Sequence, residues 1–420
     1  MGLGNIIKIT VVLLALAGSI DGFCQLPAQG DVKDYIFNKI PSLPRSGGSD
    51  YQDPTDIDLG VWAQATNKLW NSEIAEAHTL FEQIGYRVIE LTNLADNKVY
   101  HVVEKSPTGE NYWGIYVFNL KACRPQLVIQ SPHPVFDSNT GYQGMYSFLE
   151  LDAGAFFLSG THRCNNVVES ECSGSTSVCG ASGPYKISDP AHNADGVFQR
   201  LTGMMLARIP LSVFIQFHGF GKQDGDPNAI LSNGSRSTPE TDYITDLIAE
   251  MNVENPNYTF RVAHKDLSWD RLVAFTNTQG RLINRSANAC SSGVSVSNGQ
   301  FIHIEQERDE FRNDLSGWSK WIGPMSRVFE CVEVEKEILA YSDEKGFGAF
   351  PNPFSERVSF RMRDINSTLN VFNAAGQLVY SRTPGNWSDV DLSFLECGLY
   401  TFQINSENRK SVHSGRLIKE

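Results

Sequence analysis

Strand-like and helix-like segments alternate along residues 25–340. Three apolar runs are typical of strands, at 213–219, 260–264 and 301–306. Three amphipathic runs are typical of helices, at 72–84, 189–208 and 238–251. This alternation predicts one α/β domain built on a mixed sheet with helices on both faces. In such sheets functional side chains gather where strands end, because the following loops converge on one crevice.

His133 and Asp137 stand four residues apart, just after the apolar run 126–132. His218 ends the strand-like run 211–219 in the same way. Two histidines and a carboxylate at strand ends can form a three-ligand zinc set with a fourth position open for water. The alternative is that each is a hydrogen-bonded structural residue. The combination favours a metal site.

Glu305 is the candidate for a general base. It shares one face of the strand-like run 301–306 with Phe301 and His303. A buried glutamate on an apolar strand is costly unless it has a partner or takes part in chemistry. The alternative is an ion pair with Arg308 or Arg312.

The motifs SPHPVFD, IQFHGF and IHIEQER follow one another in this order. They resemble the zinc-dependent exopeptidase fold group, which includes N-formylglutamate amidohydrolases, poly-γ-glutamate hydrolases and zinc carboxypeptidases. The resemblance implies a phosphorylase/hydrolase-like fold and one zinc ion bound by His133, Asp137 and His218. It also implies Glu305 as the general base and Arg308 as a substrate or structural partner. The His-to-acid gap is one residue longer than in the carboxypeptidases, which places the chain nearer the amidohydrolases.

Further polar residues compete for roles. His162 and Arg163 follow a strand-like run, and His192 stands behind Asp189, where a helix N-cap is the alternative use of the aspartate. Either histidine could replace Asp137 as the third ligand or stabilise an oxyanion, and Arg163 is a candidate substrate-binding cation.

The segment 276–286 offers a second set of substrate-binding candidates. Arg281 and Asn284 could clamp a substrate carboxylate, since arginine binds carboxylates bidentately. A plain surface turn is the alternative.

Six cysteines remain once Cys24, in a predicted leader, and Cys397, near the C-terminus, are set aside. An even set in an exported protein predicts disulfides whose pairing the spacing leaves open: Cys123, Cys164, Cys172, Cys179, Cys290 and Cys331.

Both ends of the chain predict export. Lys8 and the apolar run 9–17 are typical of a signal peptide, which we place at residues 1–24. After a linker at 341–347, short alternating runs at 348–420 predict a small all-β, Ig-like sandwich. The elements PNPF, LNVFNAAGQLVY, DLSFLECGLYTFQI and GRLIKE resemble the C-terminal sorting domain of the type IX secretion system of Gram-negative bacteria. The type IX machinery is therefore an expected partner, and the predicted location is the cell surface or the medium.

We expect a secreted zinc-dependent amidohydrolase or peptidase that cleaves an N-acyl amino acid, a glutamyl peptide or a cell-wall peptide. The net charge of −13 argues against a nucleic-acid partner. No transmembrane helix is expected in the mature chain. The alternatives are a non-catalytic secreted binding or adhesion protein, and a different hydrolase that uses paired carboxylates.

Overall fold

The computed structural model describes residues 28–331 and, in the C-terminal region, the ranges 348–350, 354–361, 368–373, 376–382, 387–405 and 412–419. The predicted signal peptide at 1–24 and the predicted linker at 341–347 lie outside the described residues. Ten strands of residues 28–331 form one sheet: β1 (Ala28–Gly30), β2 (Tyr86–Asn93), β3 (Val99–Lys105), β4 (Ile115–Phe118), β5 (Arg124–Ser131), β6 (Ala153–Leu158), β7 (Val213–Gly219), β8 (Ala229–Ser232), β9 (Phe260–Val262) and β10 (Phe301–Gln306).

The sheet has the order β1-β2-β3-β4-β6-β5-β7-β10-β8-β9. Its central strands β6, β5, β7 and β10 run parallel to one another. Antiparallel pairing occurs on both sides of this centre, between β2, β3, β4 and β6 and between β10 and β8. The mixed sheet predicted from the sequence is confirmed. The parallel centre brings the loops after four strands to the same edge of the sheet.

Helices cover both faces of the sheet: α1 (Val32–Lys39), α2 (Asp56–Trp70), α3 (Ile74–Gln83), α4 (Thr140–Glu150), α5 (Val197–Arg208), α6 (Tyr243–Glu254), α7 (Thr278–Ile283), α8 (Leu315–Ser319) and α9 (Ile322–Val328). Apolar residues of α1, α4, α6 and α9 share one core with Ile129, Ile215 and Ile304. Residues of α2, α3 and α5 share a second core with Phe214 and Phe301, on the opposite face. Because successive side chains of a strand point to opposite faces, the same strands contribute residues to both cores.

Three helices differ from the sequence prediction. The run 189–208 is not one helix: α5 begins only after Gly196, and residues 189–195 form a loop with a single 3-10 turn. The helix expected from 238 begins at Tyr243, because Asp242 accepts a hydrogen bond from the Thr245 amide and caps it there. The segment 276–286, for which a plain surface turn is one of the two predictions, contains the buried helix α7 instead.

Three disulfides confirm the prediction from the six cysteines. They are Cys123–Cys331, Cys164–Cys179 and Cys172–Cys290. The last two lie in loops with little apolar surface, where a covalent link takes the place of a core. Cys397 is free and exposed.

The C-terminal region forms two antiparallel sheets with a shared core. The strands are β11 (Gly348–Phe350), β12 (Arg357–Arg361), β13 (Thr368–Phe372), β14 (Leu378–Arg382), β15 (Trp387–Asp391), β16 (Gly398–Asn405) and β17 (Val412–Lys419). One sheet has the order β11-β12-β15 and the other β14-β13-β16-β17. Phe360, Val371 and Phe402 lie in their common core. The all-β character predicted for this region is confirmed.

Gly144 of α4 should be intolerant of a side chain. A Cβ atom there would lie 2.3 Å from Ser131 Oγ and 2.7 Å from Phe156 Cε2. Gly144→Ala should therefore push α4 off the sheet and destabilise the domain by about 1–3 kcal/mol in urea unfolding. Gly60→Ala in α2 is the matched control. Among the described residues, no atom outside the helix's own nearby backbone lies within 4 Å of its Cβ position, so the substitution should stabilise the fold by roughly 0.5–1 kcal/mol. Equal effects of the two changes would contradict this packing.

Candidate metal centre

The loops after the parallel strands bring the predicted ligands together. His133 and Asp137 lie after β5, and His218 is the penultimate residue of β7. The Asp137 amide donates to the His133 carbonyl at 2.8 Å, which closes one helical turn and turns both side chains to the same side. In the register between β10 and β7, Glu305 stands opposite His218. Glu305 lies on the strand face that the sequence predicts. Its neighbour Ile304 lies on the other face and packs in the core there.

The Asp137 carboxylate lies between the two imidazoles. Its Oδ2 atom is 3.3 Å from His133 Nδ1 and 3.3 Å from His218 Nδ1. The three side chains are buried, with exposed fractions of 1–4%. The two histidine rings meet edge to face with their centroids 4.8 Å apart.

Asp189 orients His133. Its Oδ1 atom lies 2.8 Å from His133 Nε2, and its Oδ2 atom accepts hydrogen bonds from Nε and Nη2 of Arg163. Burial would raise the pKa of Asp189, but Arg163 and His133 outweigh this effect and hold it well below its usual value. An ionised carboxylate only accepts, so Nε2 of His133 carries a proton. The Nδ1 atom therefore faces Asp137 with a lone pair in the neutral ring.

A network of side-chain amides fixes the ring of His218 in the way that Asp189 fixes the ring of His133. His218 Nε2 lies 2.9 Å from Gln216 Oε1, which also accepts from Asn277 Nδ2. The Gln216 amino group donates to Gln130 and Gln279, so its oxygen must be the atom that faces His218. His218 therefore donates through Nε2, and its Nδ1 lone pair faces Asp137.

The distances between these lone-pair atoms test whether a metal ion fits between them. Two ligands of a tetrahedral zinc, with bonds of about 2.0–2.1 Å, lie roughly 3.3 Å apart. Both Nδ1–Oδ2 distances, 3.3 Å each, equal this spacing. The ligand atoms of His133, Asp137 and His218 all lie within 4.8 Å of one another. Each Nδ1 atom can take a proton or a metal ion against the carboxylate, so this set could hold one divalent cation.

Electrostatics keep Asp137 ionised. Burial would raise its pKa, but His133 and His218 outweigh this effect and hold it well below the usual value. Burial lowers the pKa of His218 to about 4, although Asp137 opposes the shift. Burial and Arg163 act to lower the pKa of His133, but Asp189 and Asp137 outweigh them and raise it. A carboxylate with two imidazoles is the N₂O donor set that zinc accepts.

Glu305 is buried beside this set. The residue is only 7% exposed, and its Oε2 atom has no hydrogen-bond partner among the described residues. Burial raises the pKa of Glu305 to about 8, and the negative charge of Asp137 adds to the rise. His303, one pleat earlier on the same face, has its Nε2 atom 3.7 Å from Glu305 Oε1. The alternative ion pair with Arg308 or Arg312 does not form.

The arginines near the site have different environments. Arg163 is 9% exposed, and its Nη1 atom lies 3.5 Å from His133 Nδ1. Arg308 lies apart from the cluster: it is exposed and donates to Asn313 Oδ1, because the strand ends before it and a π-helical turn follows. Arg312, four residues after Arg308, is buried and donates to carbonyls of three segments around the site.

His162 lies at the edge of the cluster. Its ring meets Phe136 edge to face with centroids 5.4 Å apart, and its Nδ1 atom accepts from the Cys164 amide. Phe136 stands between the two loop ligands of the cluster and is 42% exposed. Burial lowers the pKa of His162, and the nearby His133 and Arg163 add to this. His162 therefore belongs to the rim and not to the ligand set.

Three other predicted residues have structural partners. His192 stacks on Tyr185 with ring centroids 3.5 Å apart, its Nδ1 atom lies 3.1 Å from the Thr276 carbonyl, and burial lowers its pKa to about 3. Arg281 donates to the carbonyls of Phe275 and Cys290. Asn284 donates to the carbonyl of Asn233. None of the three directs a hydrogen bond to the cluster.

Sequence reasoning missed Asp189, Gln216 and His303 as neighbours of the candidate ligands. The alternative use of Asp189 as an N-cap is not observed, since its side chain caps no helix and binds His133 and Arg163. His303 could have been found from strand alternation, because it shares its face with Glu305. Asp189 is 56 residues from His133, and no local pattern links them.

Comparison with known families bears on the C-terminal region. Residues 348–420 match the family described as "Secretion system C-terminal sorting domain". No curated protein matches the chain. The match confirms the type IX sorting domain predicted from the sequence, and the protein is secreted to the cell surface or the extracellular space of a Gram-negative bacterium. None of the helices in the described residues has the length and apolar character to cross a membrane.

Arg312 should hold the loops around the site. Its guanidinium donates to the carbonyls of Gln306, Ser138 and Phe220 at 2.8–3.0 Å. Arg312→Met would leave these buried acceptors unpaired and should cost roughly 2–4 kcal/mol in urea unfolding. Arg308→Met, four residues away on the surface, is the control and should change stability by no more than about 0.5 kcal/mol. A harmless Arg312→Met would show that the loops are held by other contacts.

Proposed function

We propose that this protein is a secreted zinc-dependent hydrolase that cleaves an amide bond. The observation that carries the proposal is the convergence of His133 Nδ1 and His218 Nδ1 on Asp137 Oδ2, each at 3.3 Å, within the protein interior. Lone pairs that face one another in a buried site repel unless a proton or a metal cation lies between them. With one ion and three protein ligands, a fourth position stays open for substrate, as in catalytic zinc sites.

The resemblance found in the sequence gives the proposal its reaction type. The zinc-dependent exopeptidase fold group has a His-plus-acid pair after one strand, a distant His after another, and a glutamate on a later strand. Here the corresponding residues lie after β5, at the end of β7 and on β10, around one point. This agreement supports amide hydrolysis, with N-acyl amino acids, glutamyl peptides or cell-wall peptides as substrates.

When bound, zinc would supply Lewis acidity, which polarises the substrate carbonyl and lowers the pKa of a water. Glu305 would take the proton of the attacking water at Oε2, the atom that has no partner among the described residues. Burial raises the pKa of Glu305 to about 8, and the charge of a bound cation would lower it again towards neutral, where a carboxyl group can both accept a proton and pass it to the leaving nitrogen. The same carboxyl group thus serves both proton transfers.

Arg163 is the cation best placed to stabilise the developing oxyanion. Its Nε and Nη2 atoms are engaged with Asp189, which leaves Nη1 directed towards His133. Donors fixed in advance in a dry site stabilise charge that develops in the transition state. Arg163 would act in this way, while Asp189 holds both the arginine and the metal ligand His133 in position.

Glu305→Gln separates binding from chemistry. The variant keeps the three ligands, so the zinc content of the purified protein should stay at about one ion per chain. Hydrolysis of N-acyl amino acids or γ-glutamyl peptides should fall roughly 10²–10⁴-fold, because the proton acceptor is lost. Metal analysis and kinetics on the same preparation measure both effects.

His218→Ala is the companion variant and should lose both the metal and the activity. A wild-type protein that binds no divalent metal would sink the proposal and leave the binding or adhesion protein as the better reading. Unchanged activity of Glu305→Gln would exclude Glu305 as the base.

Asp189→Asn tests the support of His133. The substitution keeps the shape of the side chain but removes the charge that fixes the proton on His133 Nε2. Zinc affinity, measured by competition with a fluorescent chelator, should fall by roughly 10–100-fold. Asp195→Asn, at an exposed position in the same loop, is the control and should leave the affinity unchanged. Equal affinities of the two variants would contradict a role for Asp189 in metal binding.

A further inference from the structure

The polar residues at the start of α7 take no part in the proposed reaction, although all of them are buried. Asn277, the N-cap of α7, is 2% exposed, and Thr278 and Gln279 are fully buried. Polar side chains that are shut off from water need partners inside the protein. The partners of these three residues belong to the two groups that fix the rings of His133 and His218.

One set of contacts leads to His218. The Gln216 Oε1 atom, which faces His218 Nε2, also accepts from Asn277 Nδ2 at 2.7 Å. The Gln216 Nε2 atom donates to Gln279 Oε1 at 3.1 Å. The start of α7 therefore holds the Gln216 amide at both of its ends. This fixes which end of the amide faces the histidine.

A second set of contacts leads to His133. Gln279 Nε2 donates to the Pro190 carbonyl at 2.7 Å. Pro190 directly follows Asp189, whose carboxylate lies against His133 Nε2. The Thr278 Oγ1 atom donates to the carbonyl of the residue after Pro190 at 3.4 Å. The loop that carries Asp189 thus rests on the first turn of α7.

Gln279 is shared by the two sets of contacts. Its oxygen accepts from Gln216, and its amino group donates to the Pro190 carbonyl and to Gln199 Oε1, at 2.7 Å each. If this amide turned over, its oxygen would face two other acceptors and its amino group would face another amino group. The Gln279 amide therefore has one orientation, and it links the supports of the two rings.

We propose that Gln279 is a positioning residue for the metal centre of the proposed function, on which this inference rests. Through Gln216 it fixes the ring of His218. Through the loop of Asp189 it fixes the ring of His133. Groups behind a ligand histidine set its tautomer and the direction of its lone pair. Because one amide supports both rings, its loss should disturb both metal–nitrogen bonds at once.

Gln279→Met tests this role on the full chain, because methionine keeps the length of the side chain and removes the amide. The Zn²⁺ affinity, measured by competition with a fluorescent chelator, should fall roughly 10–100-fold. The visible absorption spectrum of bound Co²⁺ should differ from that of wild type, since it depends on the arrangement of the ligands around the ion. A purely structural role would leave this spectrum unchanged in the folded protein.

Gln300→Met is the matched control. Gln300 is 9% exposed and precedes β10, at the end of the strand away from the metal centre. Its Nε2 atom donates to the carbonyls of Pro210 and Ser212 at 2.7 and 2.9 Å, and its Oε1 atom accepts from Asn298 at 2.7 Å. The urea midpoint should fall by a similar amount in Gln300→Met and Gln279→Met. The Zn²⁺ affinity and the Co²⁺ spectrum of Gln300→Met should stay those of wild type.

Asn277→Ser is the milder variant and serves if Gln279→Met does not fold. The Asn277 Oδ1 atom accepts from the Gly280 amide, and a serine hydroxyl can take over this cap. Serine cannot replace the Asn277 amino group, which donates to Gln216. The loss of this hydrogen bond should lower the Zn²⁺ affinity by roughly 3–10-fold, while the urea midpoint stays close to that of wild type.

The outcomes separate this proposal from the proposed function. Wild-type Zn²⁺ affinity in Gln279→Met, or in Asn277→Ser if the former does not fold, overturns the positioning role and leaves the proposed hydrolase intact. Equal losses of affinity in Gln279→Met and Gln300→Met would reflect lost stability alone, and they also overturn it. A wild-type protein that binds neither Zn²⁺ nor Co²⁺ overturns the proposed function and this inference with it.

Discussion

The buried carboxylate of Asp137 is the feature around which the site is organised. It faces the Nδ1 atoms of His133 and His218, and both rings are fixed from behind through Nε2. The two fixing groups differ in kind. Asp189 contributes a charge, whereas Gln216 contributes only a dipole. Further carboxylates would add negative charge that burial makes costly. A neutral amide network instead fixes the proton of His218 without adding to the charge of the interior.

Two buried arginines balance part of the negative charge around Asp137. Asp189 is paired directly with Arg163, while Arg312 forms its hydrogen bonds with carbonyls and reaches Asp137 and Glu305 only through the electric field. With Glu305 ionised, three carboxylates face two arginines and leave one negative charge. A divalent cation would turn this excess into one positive charge, which would suit the oxyanion stabilisation that the proposed hydrolysis requires. Burial is the main cause of the raised pKa of Glu305, and the negative charge of Asp137 adds to it.

The sequence predicted those parts of the site that follow from local geometry. His133, Asp137 and His218 end strands, Glu305 follows from strand alternation, and the mixed sheet follows from the order of segments. Arg308 illustrates the limit: the family resemblance implies a place for it near the site, but the chain leaves the strand at Glu307 and turns the Arg308 side chain to solvent. Asp189 and Gln216 could not be predicted, because their partners depend on how distant loops pack. Aspartate is a common N-cap residue, but at position 189 the side chain binds His133 and Arg163 instead.

Export and the site are connected through the disulfides. The backbone of His162 and Arg163 continues directly into Cys164, whose disulfide with Cys179 closes a loop that exposes Val167 and Val168 by 74% and 53%. Such a loop buries too little apolar surface to order itself. The bridge between Cys172 and Cys290 ties the same loop to the segment whose carbonyls accept from Arg281. Covalent links that persist only in an oxidising compartment therefore help to hold the segment that carries Arg163. The export that the sorting domain indicates is thus compatible with the disulfides that hold this rim of the site.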